Sequence, residues 1–291
     1  MGLKKKLSDI KTLGNIDQYL QELLDQAHRE DLAGQFDDPT KYTEVQKEDL
    51  FHYVQNMQAA LMPYSDLFQE LFSESFIYNV QNETVSGDFY WIEQFNDKIY
   101  IAVADSREQG IAGAFMSIIC ASALNRVIHE FNIEDTGKIL DKTRELMMET
   151  FKNSPEKQFG INISLCCINK RTCILEWSGA NNNLFYIHNG IMEEMSGNKK
   201  SVGNHECSLP FTTHKMYLSR GDMIYLFTDG FASQEGGENG ERLMCKRFQD
   251  MLIKVAPLGA RSQKDILHKK FEAWKGNHKL TDDVLLIGFR L

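Results

Sequence analysis

Proline and glycine are sparse in this chain, 5 and 20 of 291 residues, which excludes collagenous and low-complexity classes. Cysteine occurs six times (120, 166, 167, 173, 207, 245) but never as a C-x-x-C pair, so reduced, structural thiols are expected. Adjacent Cys166 and Cys167 sit in an alternating apolar run that sends them to opposite faces. Long apolar runs are also missing. The longest uncharged stretch, Gln109 to Asn125, has 17 residues and two glycines, short of the roughly 20 apolar residues of a spanning helix, so no membrane segment is expected. Met-Gly-Leu followed by Lys4, Lys5 and Lys6 leads into no secretory apolar stretch, and Lys6 stands where a myristoylation signal wants Ser or Thr; the expected location is cytoplasmic. Basic charge is in deficit, 32 Lys and Arg against 41 Asp and Glu for a net charge of -9. Such a surface repels nucleic-acid phosphates and anionic lipid, and neither is an expected partner.

What remains is ordinary globular material, 42% hydrophobic and 25% charged, long enough for one large domain or one medium domain with an appendage. Residues 1–62 lack strand signals. Leu13, Ile16, Leu20, Leu23 and Ala27 form one helical stripe, and Leu50, Val54, Met57 and Leu61 form another that Pro63 stops. With a turn over 34–40, this predicts an N-terminal helical hairpin that packs on the main domain or on a second copy. From Ser75 the pattern changes to apolar or alternating runs at 76–80, 89–95, 99–104, 161–168, 173–177, 184–188, 216–218, 223–227 and 284–289. Helical patterns intervene at 111–131, 135–152, 241–254 and 263–274. Strands that arrive in pairs through short turns imply antiparallel sheets, and the expected class is α+β. The domain division is 1–62 and 63–291.

Several signatures of phosphate and hydrolase chemistry are absent: G-x-x-x-x-G-K-[ST], H-E-x-x-H and G-x-S-x-G. Thiol-based phosphate chemistry is not expected, since Cys166, Cys167 and Cys207 carry Thr172, Cys173 and Thr213 where an arginine would be needed. What stands out is a set of acidic residues at the ends of apolar strands: Asp88, Asp105, Asp229 and the pair Asp282-Asp283. One such residue is common turn chemistry. Four sets brought together would repel by roughly 4 kcal/mol per pair at 4 Å and an effective dielectric of 20, so convergence calls for a cation. All-oxygen ligands select a hard ion, Mg²⁺ or Mn²⁺.

In order and context these segments resemble the metal-dependent protein phosphatases of the 2C type, and more narrowly the bacterial stage II sporulation protein E-like branch. The resemblance rests on Gln58 to Pro63, Val85-Ser86-Gly87-Asp88-Phe89-Tyr90-Trp91, Ala104-Asp105 with Gly110 to Ser117, Ser178 to Asn182, Gly221 to Phe231 and Asp282-Asp283-Val284. It implies an αββα sandwich of two antiparallel sheets flanked by helices, with two Mg²⁺ or Mn²⁺ ions in a cleft at one edge. By the same resemblance Asp105 bridges both metals, Asp229 and Asp282 hold one, the carbonyl of Ser106 reaches the other, and Asp88 holds metal-bound water. Asp88 and Asp105 are then the catalytic residues.

The implied activity is that of a serine/threonine protein phosphatase in bacterial signalling, in which metal-bound water attacks the phosphoryl group. Its implied partner is a phosphorylated regulatory protein such as an anti-sigma-factor antagonist, and a homodimer through the N-terminal helices is a further expectation. The sequence also departs from the branch. Glu108-Gln109-Gly110 stands where most members have Gly-His-Gly, Asn162 where many have an acid, Asn198 in place of an Asp, and Asn183 in place of a Pro. An outward-turned Glu108 is expected from the loop's small anchoring residues. The alternative function is a weakly active or non-catalytic phosphatase fold that serves as a binding module; a phosphatase of small phosphoesters is a third reading.

Overall fold

The computed structural model describes residues 44–61, 65–152, 159–203 and 209–291. The expected first helical stripe and the turn at 34–40 lie outside the described residues. From Tyr53 onward the chain forms one compact unit.

Helix α1 (Glu44–Leu61) and the short α2 (Ser65–Leu71) precede β1 (Glu74–Val80), β2 (Phe89–Phe95) and β3 (Lys98–Ser106). Helices α3 (Gly110–His129) and α4 (Thr136–Thr150) follow. Next come β4 (Gly160–Asn169), β5 (Ile174–Ala180), β6 (Leu184–His188), β7 (Ile191–Met195), β8 (Val202–Gly203), β9 (His214–Tyr217) and β10 (Met223–Phe227). The chain closes with α5 (Gly230–Ser233), the small hairpin β11 (Glu235–Gly236) and β12 (Glu241–Arg242), helices α6 (Cys245–Val255) and α7 (Ala260–Lys275), and β13 (Val284–Arg290). One sheet has the order β1-β13-β10-β6-β7 and the other β2-β3-β4-β5-β9, with β8 beside β4. All the paired strands are antiparallel.

The layers follow from side-chain alternation, since successive residues of a strand point to opposite faces. On β3, Ile99, Ile101 and Val103 enter the core between the two sheets, while Tyr100, Ala102 and Ala104 enter the core under α3 and α4. On β13, Leu285, Ile287 and Phe289 face the other sheet, while Val284 and Leu286 face α6 and α7. Three apolar cores between four layers give an αββα sandwich. Cys166 and Cys167 fall on opposite sides of their sheet as the alternation requires.

Helix α3 is long and apolar enough to cross a membrane by length and composition, but 67% of that window is buried in the fold. It packs on β2 and β3. The helix expected over 241–254 begins only at Cys245, because Glu241 and Arg242 pair with Gly236 and Glu235 in a hairpin turned by Gly237 and Gly240 at positive φ. Lys200, unlike its exposed neighbour Lys199, is buried. It is 3% exposed, with its ammonium 3.9 Å over the Phe211 ring and donating to the carbonyl of Leu209.

Candidate active site

Antiparallel pairing brings the acidic strand ends to one end of the sandwich. In the first sheet Phe89 pairs with Ala104 and Asp105 with Asn162, so Asp88, Asp105 and Asn162 share an edge. In the second, Phe227 pairs with Leu286, which sets Asp229 beside Asp282 and Asp283. Two glycines permit these close approaches. A Cβ on Gly230 would lie 1.8 Å from the carbonyl oxygen of Asp283, and one on Gly113 2.2 Å from that of Glu108.

Hydrogen bonds tie the two edges together. Thr228 Oγ1 donates to Asp88 Oδ2 at 2.6 Å and accepts from the backbone N–H of Leu285 at 3.0 Å. Ser86 Oγ donates to Asp283 Oδ2 at 2.6 Å and accepts from the N–H of Asp88 at 3.0 Å. The N–H of Asn82 donates to Asp283 Oδ1 at 2.7 Å. Sequence reasoning named neither Thr228 nor Ser86 as a functional residue, although each stands within two residues of a singled-out aspartate.

The electrostatics are those of a crowded acidic site. Burial and the carboxylates of Asp229 and Asp282 push Asp105 up to about 7, against an ordinary value of 3.8. Burial, followed by Asp105, raises Asp88 well above the carboxylate range even though the Thr228 hydroxyl lowers it. Asp282 is raised by burial and by Asp229 and Asp283. The charges that raise each of these groups are other carboxylates, so ionising all of them together is unfavourable without a cation.

An open cleft at this end is lined by Glu83, Asp105, Ser106, Glu108, Asp282 and Asp283, among others. Asp88 is 7% exposed, buried behind it. Asp229, at the N-terminus of α5, is exposed. Glu108 does not turn outward. Its carboxylate accepts from Ser106 Oγ at 2.9 Å, and its N–H donates back to the same oxygen at 3.2 Å, so a local turn folds it into the cleft lining.

Whether these residues fit a hard cation can be judged from the donors. They are carboxylate oxygens, those of Asp88, Asp105 and Asp282 raised by burial and by one another's charge, joined by Asn162 Oδ1, which is buried with no hydrogen-bond partner and whose amide donates to Asp105 Oδ2 at 3.4 Å. An orphaned acceptor beside mutually repelling carboxylates fits Mg²⁺ or Mn²⁺ chemistry. Among the described residues no three carboxylate, imidazole or thiol groups are already drawn up around one point; a cation would have to pull them in. Contrary to expectation, one cysteine does have a thiol-phosphatase spacing, Cys120 with Arg126. Its thiol is fully buried within α3 and burial raises it to about 12, so it offers no thiolate.

Comparison with known proteins agrees with this architecture. The SiaA-PP2C domain of Pseudomonas aeruginosa superposes with a TM-score of 0.77 at 26% identity, over 86% of this chain and 100% of that one. The PP2C phosphatase domain of SpoIIE from Bacillus subtilis, solved with a fragment of its regulatory domain, gives 0.61 at 14% identity, over 75% of this chain and 63% of that one. RsbX in complex with magnesium gives 0.52 at 15%, over 75% and 94%. Among curated proteins no sequence matches significantly. The profile of stage II sporulation protein E matches residues 96–291, two-thirds of the sequence and all of the strand ends described here except Asp88, and the chain therefore belongs to the SpoIIE family of PP2C-type phosphatase domains.

Proposed function

We propose that this chain is a Mg²⁺- or Mn²⁺-dependent serine/threonine protein phosphatase that acts on a phosphorylated regulatory protein in bacterial signalling. The observation that carries the reading is the convergence of Asp88 and Asp105 from one sheet with Asp229 and Asp282 from the other, each of the first two raised by burial and then by its acidic neighbours. Membership of the SpoIIE family and the magnesium named for the RsbX structure support it.

Asp88, Asp105, Asp229 and Asp282, with the carbonyl of Ser106, would hold the cations. When bound, such ions acidify water and offset the charge on a phosphoryl group. Asp88 keeps Oδ2 fixed by the Thr228 hydroxyl, which leaves Oδ1 to orient a water or take up its proton. Asp283 positions the loop that carries Asp88, through Ser86 and Asn82. In the overall reaction a water oxygen bonds to phosphorus, the seryl or threonyl oxygen leaves, and a proton passes to it.

Residues 1–62 are assigned a regulatory or dimerising role, and the protein a cytoplasmic one; an anti-sigma-factor antagonist is the substrate class the family points to. Phosphate release from a generic phosphoester and from a phosphoprotein, with and without Mn²⁺, tests the function. Mn²⁺-dependent release is expected. Tight Mn²⁺ binding without release would favour the alternative, a phosphatase fold retained as a binding module, for which Glu108-Gln109 and the unassembled ligand set speak.

A further inference from the structure

Every side chain assigned so far in the cleft is acidic or neutral, whereas the planar guanidinium fork of an arginine matches the oxygens of a phosphoryl dianion. Arg107 stands two residues after Asp105. The β3–β4 register runs Asp105↔Asn162 and Ser106↔Ile161, and the N–H of Arg107 extends it by one step, donating to the carbonyl of Gly160 at 3.1 Å. Residues two apart on a strand share a face about 7 Å apart, so Arg107, one residue past the end of β3, and Gly160, the first residue of β4, lie on the face that carries Asp105 and Asn162. Gly160 offers no side chain there. A Cβ on it would come within 3.1 Å of Arg107 Cδ and 2.6 Å of Ser201 Oγ, so the arginine stem lies in the space a larger residue would occupy. Arg107 is exposed, and its guanidinium has no ion pair or hydrogen bond among the described residues. Arg107 does not itself line the cleft, but its chain neighbours Ser106 and Glu108 do, so a stem held over Gly160 presents its guanidinium from the segment that forms the cleft wall, free to take an anion.

We infer that Arg107 binds the phosphate group of the substrate at the edge of the cleft, as a positioning residue for the proposed reaction; the inference rests on that reading for the nature of the substrate. It is tested on the full chain with Arg107→Ala and Arg107→Lys, by calorimetric binding of inorganic phosphate to the Mn²⁺-loaded protein and by steady-state kinetics on a phosphoserine peptide. For Arg107→Ala phosphate affinity falls about tenfold and KM rises by a similar factor, while Mn²⁺ affinity is unchanged or slightly tighter because a positive charge has gone. Arg107→Lys recovers part of the phosphate affinity. Unchanged phosphate affinity and KM in Arg107→Ala, weakened Mn²⁺ binding there, or a wild-type protein that takes up Mn²⁺ but no phosphate would each overturn the assignment. A wild-type protein that binds phosphate through Arg107 without turnover would leave the assignment standing and instead remove the proposed activity.

Discussion

The side-chain amide of Gln58 donates to the carbonyl of Ser86 at 2.7 Å and to the hydroxyl of Ser117 at 2.8 Å. Gln58 is buried on α1, Ser86 holds Asp283 and the N–H of Asp88, and Ser117 sits on α3. The C-terminal part of α1, inside the compact unit, is thus two hydrogen bonds away from two of the acidic residues. Gln58→Ala leaves a buried carbonyl unpaired, which costs about 1–3 kcal/mol. The melting temperature is expected to fall, and Mn²⁺ affinity to fall with it by at least threefold. A lower melting temperature with unaltered Mn²⁺ affinity would mean that α1 only packs against the loop and does not set it.

The pH dependence of the metal-free protein has a definite sign. Asp105 moves from 3.8 to about 7 on folding, so between roughly pH 4 and 7 the folded state holds more protons than the unfolded one and stability declines as pH rises. Asp105→Asn, neutral throughout, flattens that part of the slope and melts above wild type at pH 7.5 in the absence of metal. Mn²⁺ affinity of the wild type drops below about pH 7, where the proton competes for the site. Asp105→Asn and Asp229→Asn each lose Mn²⁺ binding and any associated turnover, at retained circular dichroism. Wild-type turnover in either variant would refute the ligand assignment.

Thr228→Val keeps shape and removes a hydroxyl hydrogen bonded to both Asp88 and the β13 backbone. Hydrogen bonds to charged groups are worth about 1.5–3 kcal/mol, so Mn²⁺ affinity is expected to fall by about tenfold or more in calorimetry. Asp88 would then protonate more readily, and the loss should be larger at pH 6 than at pH 8.

Since Glu108 folds back onto Ser106 rather than out to solvent, replacing Glu108-Gln109 by Gly-His removes a negative charge from the cleft. Mn²⁺ binding should weaken, by about tenfold at an effective dielectric near 20. Stronger or equal Mn²⁺ binding would place the Glu108 carboxylate outside the reach of the ions.

The layers and most strands could be read from alternation alone, because β3, β4, β10 and β13 are buried on both faces and bounded by turn residues. The edge strand β7, with its exposed Ile191, Glu193 and Glu194, carries too little apolar signal to register, and the Glu241-Arg242 pair reads as helix until its glycine turn is seen. The same limit applies to the site. Aspartates at strand ends are visible as residues, whereas the hydroxyls that hold them, Ser86 and Thr228, matter through partners 197 and 140 positions away, and Glu108 is oriented by a two-residue turn that no periodicity encodes.

Asp88 and Asp105 belong to one sheet, Asp229, Asp282 and Asp283 to the other. Like charges facing each other across the seam between two layers act as a spring that pushes the sandwich open at that end, restrained by the Thr228 and Ser86 hydroxyls. A divalent ion seated there would turn the spring into a clasp. Ion occupancy would then govern not only chemistry but the breathing of one end of the sandwich: in hydrogen exchange, amides at Thr228 and Leu285 would slow sharply on Mn²⁺ addition, while those at the centre of β3, sealed between two hydrophobic cores, would barely change.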